Sequence, residues 1–97
     1  MEHYNFIDSN FVFDTLKNAK LIEFRGISFE EIIEIIESKG PLDVFRHPNA
    51  NKYPNQMVIA IEFKEYVYLV PFVEEKDKII LKTAFPCRKA TRRYLYM

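Results

Sequence analysis

Residues 79–97 hold five cations, Lys82, Arg88, Lys89, Arg92 and Arg93, and no carboxylate. A stretch of one sign focuses anions. Guanidinium groups suit phosphate because their planar fork grips two oxygens at once, which an ammonium cannot do. Arg88 follows the end of an apolar run and leads the group. If residues 88–94 are helical, Arg88 and Arg92 share one face at i, i+4, with Lys89 and Arg93 on the neighbouring one. The expected partner is a polyanion, RNA foremost, with Lys89, Arg92 and Arg93 holding its backbone. The competing reading is a solubilising tail, or an anchor for the acidic segment 30–37.

Other side chains could move protons. Lys82 shares a strand face with Ile80 and Ala84, a charge among apolar positions. It is either a desolvated amine serving as base or phosphate clamp, or an edge lysine that blocks aggregation. His47 sits in a polar, proline-bounded loop over residues 46–55, and imidazole titrates near neutrality. Lys52 and Tyr53 of the same loop are its companions, Lys52 as a phosphate contact. Tyr94 offers a phenol for acid–base work or a ring for stacking, against the alternative that Tyr94 and Tyr96 pack the C-terminal segment onto a sheet. Cys87 is the single cysteine. One Cys and two His make neither a disulfide framework nor a recognisable zinc site, and no cofactor is expected.

What must position these groups is one small domain. A chain of 97 residues buries roughly 60 to 68% of its unfolded surface, enough for a single core. Hydrophobic residues make up 48%, with 9 Phe and 6 Tyr to fill that core. The formal net charge of +0 conceals a split, since residues 1–40 hold eight carboxylates against four cations. A pI near 6.7 argues against indiscriminate coating of nucleic acid but leaves room for a local basic site. No apolar run reaches the roughly 18 residues of a membrane span, and the first five residues lack the cationic start of a signal peptide. The expected compartment is the cytosol.

The stretch 1–13, with Phe6, Ile7, Phe11, Val12 and Phe13, shows no sustained period and predicts no element. Asp14 caps a helix over residues 15–24, and Gly26 ends it in a left-handed conformation. Ser28-Phe29-Glu30-Glu31 is a capping box, with Ile27 and Ile32 at the hydrophobic-staple positions. Phe29, Ile32, Ile33 and Ile36 then recur at i, i+3, i+4, i+7, and Gly40-Pro41 stops the helix. Beyond Pro41 the period becomes that of strands: a short one over 42–46, then 57–63, 66–73 and 78–85, forming an antiparallel meander. The Lys64-Glu65 connection lacks the Asn-Gly signature, which leaves its turn type open. Pro86 ends the last strand, and residues 87–94 read as a short basic helix or tail. The fold class is α+β: two N-terminal helices, a three- to four-stranded antiparallel sheet and a C-terminal basic helix.

This order of motifs resembles the BrnT-type toxins of bacterial type II toxin–antitoxin systems. The resemblance is carried by Phe13-Asp14 with Lys17, by Gly26-Ile27-Ser28-Phe29-Glu30-Glu31, by the hairpins, and by Arg88-Lys89-Ala90-Thr91 with Arg92-Arg93. It covers most of the chain. Phe13 stands where the family has Trp, Arg25 where it commonly has His, and Tyr94 where it frequently has Glu. The resemblance implies a RelE-like fold and a metal-independent endoribonuclease, silenced by a cognate antitoxin that is usually a ribbon-helix-helix DNA-binding protein.

Metal-free RNA cleavage requires a base for the 2′-OH, an acid for the leaving 5′-oxygen, and cations around the phosphorane-like transition state. The expected catalytic set is Arg88, Lys82, His47 and Tyr94, with Arg88 stabilising the transition state. The alternative is a catalytically degenerate module that binds nucleic acid and antitoxin without cutting. A third reading is a structural partner whose basic tail docks on an acidic protein.

Overall fold

The computed structural model describes Phe6 and residues 9–96. The sequence readings of residues 1–5 and of Ile7 fall outside these. Three helices and a six-stranded sheet follow in the order β1 (Asn10–Val12), α1 (Thr15–Arg25), α2 (Phe29–Ser38), β2 (Asp43–Arg46), β3 (Gln56–Phe63), β4 (Tyr66–Glu75), β5 (Lys78–Leu81), β6 (Phe85–Pro86) and α3 (Arg88–Leu95). The sheet order is β1-β5-β4-β3-β2, with β6 also pairing β4.

Both N-terminal helices begin where local hydrogen-bond chemistry dictates. Asp14 Oδ1 accepts from the backbone N–H groups of Leu16 at 2.8 Å and Lys17 at 3.0 Å, satisfying donors the first turn leaves open. Gly26, at φ 67°, ends α1. In α2 the Glu31 N–H donates to Ser28 Oγ at 3.0 Å, and the Ser28 N–H donates to Glu31 Oε1 at 2.9 Å. Ile27 and Ile32 are both fully buried, as a staple requires. Asn18 fastens the two helices together: its Nδ2 donates to Glu30 Oε1 and its Oδ1 accepts from the Phe29 N–H, each at 2.7 Å.

Alternation along β3 divides the interior. Ile59 and Ile61 join the larger core with Leu21, Phe29, Ile32 and Ile36 from α1 and α2, whereas Ala60 joins a smaller cluster with Val67 and Ala90 of α3. Consecutive strand residues face opposite sides, so helices cover both faces of the sheet. The β3–β4 hairpin closes with Phe63 opposite Tyr66, and both turn residues take positive φ, Lys64 at 52° and Glu65 at 63°. This is the primed turn geometry that matches strand twist. Here it is imposed on two residues without its usual sequence signature.

Three features correct the expected architecture. β1 precedes the helices and pairs in parallel with β5, Phe11 opposite Ile79, so the sheet is neither three- to four-stranded nor purely antiparallel. Three residues carry no detectable period, and partners far along the chain define this strand. Second, the expected strand 78–85 is split into β5 and β6, and Pro71 supplies the reason. The Lys82 N–H donates to the Pro71 carbonyl at 2.9 Å. In an antiparallel ladder both polar groups of a residue point to the same neighbour, and Pro71 has no N–H to return the bond. Pairing lapses over residues 82–84 and resumes with Phe85 opposite Leu69. Third, the lapse resets the face alternation. Ala84 is buried with Leu81 in the larger core while Lys82 is half-buried outside it, so the two do not share a face.

The helix α3 hangs from the same strand. The Cys87 N–H donates to Val67 O at 2.9 Å. Thr91 Oγ1 accepts from the Val67 N–H and donates to the Cys87 carbonyl, each at 2.8 Å. The hydroxyl stands between the two groups that would otherwise form the next ladder bond, which turns the chain out of the sheet into a helix.

Candidate nucleic-acid interface

A cleft of about 830 Å³ opens at the break between β5 and β6. Pro71, Lys82, Thr83 and Phe85 line it from the break, His47, Tyr53 and Gln56 from the β2–β3 loop and the start of β3, and Phe29 from α2. The helix α1 contributes Lys17, Lys20, Leu21, Phe24 and Arg25. Its spacing of i, i+3, i+4 and i+7 from Lys17 sets two cations and two apolar groups along one stripe. Four cations and no carboxylate therefore line the cleft, an arrangement that raises the local concentration of anions. Arg25 donates a guanidinium hydrogen bond to the Ala84 carbonyl, tying α1 to the irregular segment that the break creates.

The histidine loop is held by its own backbone. The His47 N–H donates to Gln56 O at 3.0 Å, and the Tyr53 N–H donates to Asn49 O at 2.9 Å. The Tyr53 ring lies on His47 with centroids 4.5 Å apart and planes inclined by 41°. Lys52 Nζ sits 5.4 Å from the centre of the Tyr53 ring. His47 Nδ1 accepts from the Asn49 N–H at 3.0 Å. This contact places the proton of the neutral ring on Nε2. His47 is set up as a donor through Nε2.

Of the residues singled out from the sequence, Lys82 and His47 come together in the cleft, with Tyr53 beside them. Lys52 sits against Tyr53 without lining the cleft. Arg88, Lys89, Arg92 and Arg93 are all exposed on α3, and none is among the lining residues. Arg93 lies over the Tyr94 ring at 5.5 Å. Tyr94 packs in the smaller core cluster, and its hydroxyl donates to Asp43 Oδ2. Of the two packing roles proposed for the C-terminal tyrosines, Tyr94 takes one, while Tyr96 is 71% exposed.

Sequence reading missed Lys17, Lys20, Phe24, Arg25, Gln56 and Thr83 as site residues. The mixed stripe on α1 was a usable signal for the first three. Gln56 and Thr83 carry none, because their placement depends on the broken strand. Among the described residues no three His, Cys, Asp or Glu side chains converge as a metal site would need, and no helix is long and apolar enough to cross a membrane.

The Tyr94–Asp43 link has a pH signature. Burial, then the hydrogen bond to Asp43 and its charge, raise the phenol pKa above its ordinary value of about 10, against a smaller opposing effect of Arg93. A pKa raised by folding contributes stability that is complete below the unfolded value and is lost as pH rises through the folded one. Denaturant titrations between about pH 9 and 12 should show stability falling more steeply for the native chain than for Tyr94→Phe. Identical slopes would refute the link.

Compared with family models, curated proteins and solved structures, the chain matches none at a significant level. The resemblance to BrnT-type toxins rests on the sequence motifs alone.

Proposed function

We propose that this chain is a RelE-like ribonuclease toxin of a type II toxin–antitoxin system, acting on RNA in the cytoplasm through the cleft around Lys82 and His47. The observation that carries the reading is the cleft's donor set: four cations, a histidine packed against a tyrosine, and no carboxylate. Phosphodiester chemistry builds negative charge on phosphorus-bound oxygens, and fixed cations and N–H donors stabilise that charge most effectively where acids are absent. The motif order shared with BrnT-type toxins points to the same chemistry.

In this proposal the 2′-oxygen attacks phosphorus as the P–O5′ bond breaks, leaving a 2′,3′-cyclic phosphate and a 5′-hydroxyl. The 2′-proton passes to the Lys82 amine, and the leaving 5′-oxygen is protonated from solvent. His47 Nε2–H donates to an oxygen gaining charge, while Lys17, Lys20 and Arg25 hold the flanking phosphates. The exposed cations of α3, Arg88 included, extend the surface that meets the RNA backbone or the antitoxin.

The direct test is to incubate the purified protein with RNA in chelator and to express it without its antitoxin. Cleavage with cyclic-phosphate ends and arrested growth are expected. Intact RNA under every condition, together with normal growth, overturns the reading. The placement of Arg88 outside the cleft lining favours one alternative, a nucleic-acid- and antitoxin-binding module without nuclease activity. That module would bind RNA with a steep salt dependence, reflecting released counterions, and never cut it. A small neighbouring reading frame with a ribbon-helix-helix pattern would support either form of the toxin-like reading over a purely structural protein.

A further inference from the structure

We infer that Phe24 is a stacking platform for an unpaired base, which makes single-stranded RNA the form the cleft accepts; this rests on the RNA reading above. Phe24 lines the cleft yet is 75% exposed, so it adds little to the core. A phenylalanine so placed leaves most of its apolar surface in water.

The cleft's other aromatic groups are engaged or enclosed. Phe29 is fully buried and stacks on Phe13 with centroids 5.1 Å apart. Tyr53 has His47 against its ring and Lys52 at 5.4 Å, and Phe85 is half-buried. Phe24 is the exposed ring, four residues after Lys20 and next to Arg25, both of which also line the cleft. Every base has an apolar face that stacks on an aromatic ring, whereas bases in a duplex already stack on one another. Cations four residues before and one residue after an exposed ring, all three lining one cleft, match a strand whose phosphates flank a splayed base. That charge pattern favours a nucleic acid over a protein as the occupant.

The experiment uses a short 2′-O-methyl oligoribonucleotide, which cannot be cut, as a single strand, as a hairpin duplex, and as single strands each with one abasic position. The native chain should bind the single strand more tightly than the hairpin. Phe24→Ala should weaken single-strand binding by about 5- to 100-fold, Phe24→Tyr should restore it, and an abasic substitution at the stacked position should erase the difference between native and Phe24→Ala. Circular dichroism checks that the variants fold, as expected for a side chain this exposed. Single-strand binding unchanged in Phe24→Ala overturns the inference while leaving the RNA reading intact. Unchanged RNA binding with altered self-association in sedimentation overturns it in favour of protein docking at Phe24. No binding of any RNA by the native chain overturns both.

Discussion

Replacing Lys82 with Ala should slow RNA cleavage by about 10²- to 10⁴-fold, the loss typical of removing a positioned general base. Lys82 is half-buried at the point where β5 ends, its N–H held by Pro71 O at 2.9 Å. Its backbone position is therefore rigid, and truncating the side chain removes an amine from the cleft without removing core volume. The fold should survive the change, which thermal unfolding can verify. Lys82→Arg separates the two roles: an arginine still clamps phosphate but cannot serve as base at ordinary pH. With Lys82 as the base, Lys82→Arg remains as slow as Lys82→Ala. Cleavage by Lys82→Ala at the native rate would remove Lys82 from the mechanism.

Phe29→Ala should cost about 3 to 5 kcal/mol of folding free energy, the range for truncating a buried aromatic. Phe29 opens α2, is fully buried, stacks on Phe13 and has its N–H bound by Asn18 Oδ1 at 2.7 Å. Its ring joins α1, α2 and the sheet, so neighbouring groups are already committed and a cavity would not readily collapse. Against a total stability of about 5 to 15 kcal/mol for small domains, the loss should bring unfolding within reach of mild denaturant. Urea titration measures it, and a change under 1 kcal/mol would mean that the core repacks. Because Phe29 also lines the cleft, RNA binding should weaken in the same variant.

The helical part of the fold was legible in detail. Asp14, the Ser28–Glu31 box, Gly26 and the i, i+3, i+4, i+7 series of Phe29, Ile32, Ile33 and Ile36 locate α1 and α2 almost to the residue, since every one of those signals acts within one or two turns. The strands 56–63 and 66–75 were legible from alternation and β-branched content. Three of the cleft's residues, Lys82, His47 and Tyr53, were recognisable from type and setting alone. The juxtaposition of Lys82 with the other two was not, because it follows β5 while they belong to the loop after β2.

The basic segment shows the division most clearly. By composition it was the strongest chemical feature of the chain, yet four of its five cations lie exposed on α3 and only Lys82 enters the cleft. Residue types and short spacings determined the caps, the helices, the meander and the existence of a cationic surface, because those depend on neighbours close in the chain. Tertiary structure alone decided the pairing of β1 with β5, the left-handed Lys64-Glu65 turn and the position of the cleft. The β1–β5 pairing and the cleft depend on partners remote in sequence, and the turn is imposed by the ladder that pairs β3 with β4 along its whole length, from Phe63–Tyr66 to Gln56–Val73. Pro71, by withholding one N–H from Lys82, parts β5 from β6 and opens the space into which α1 brings Lys17, Lys20, Phe24 and Arg25.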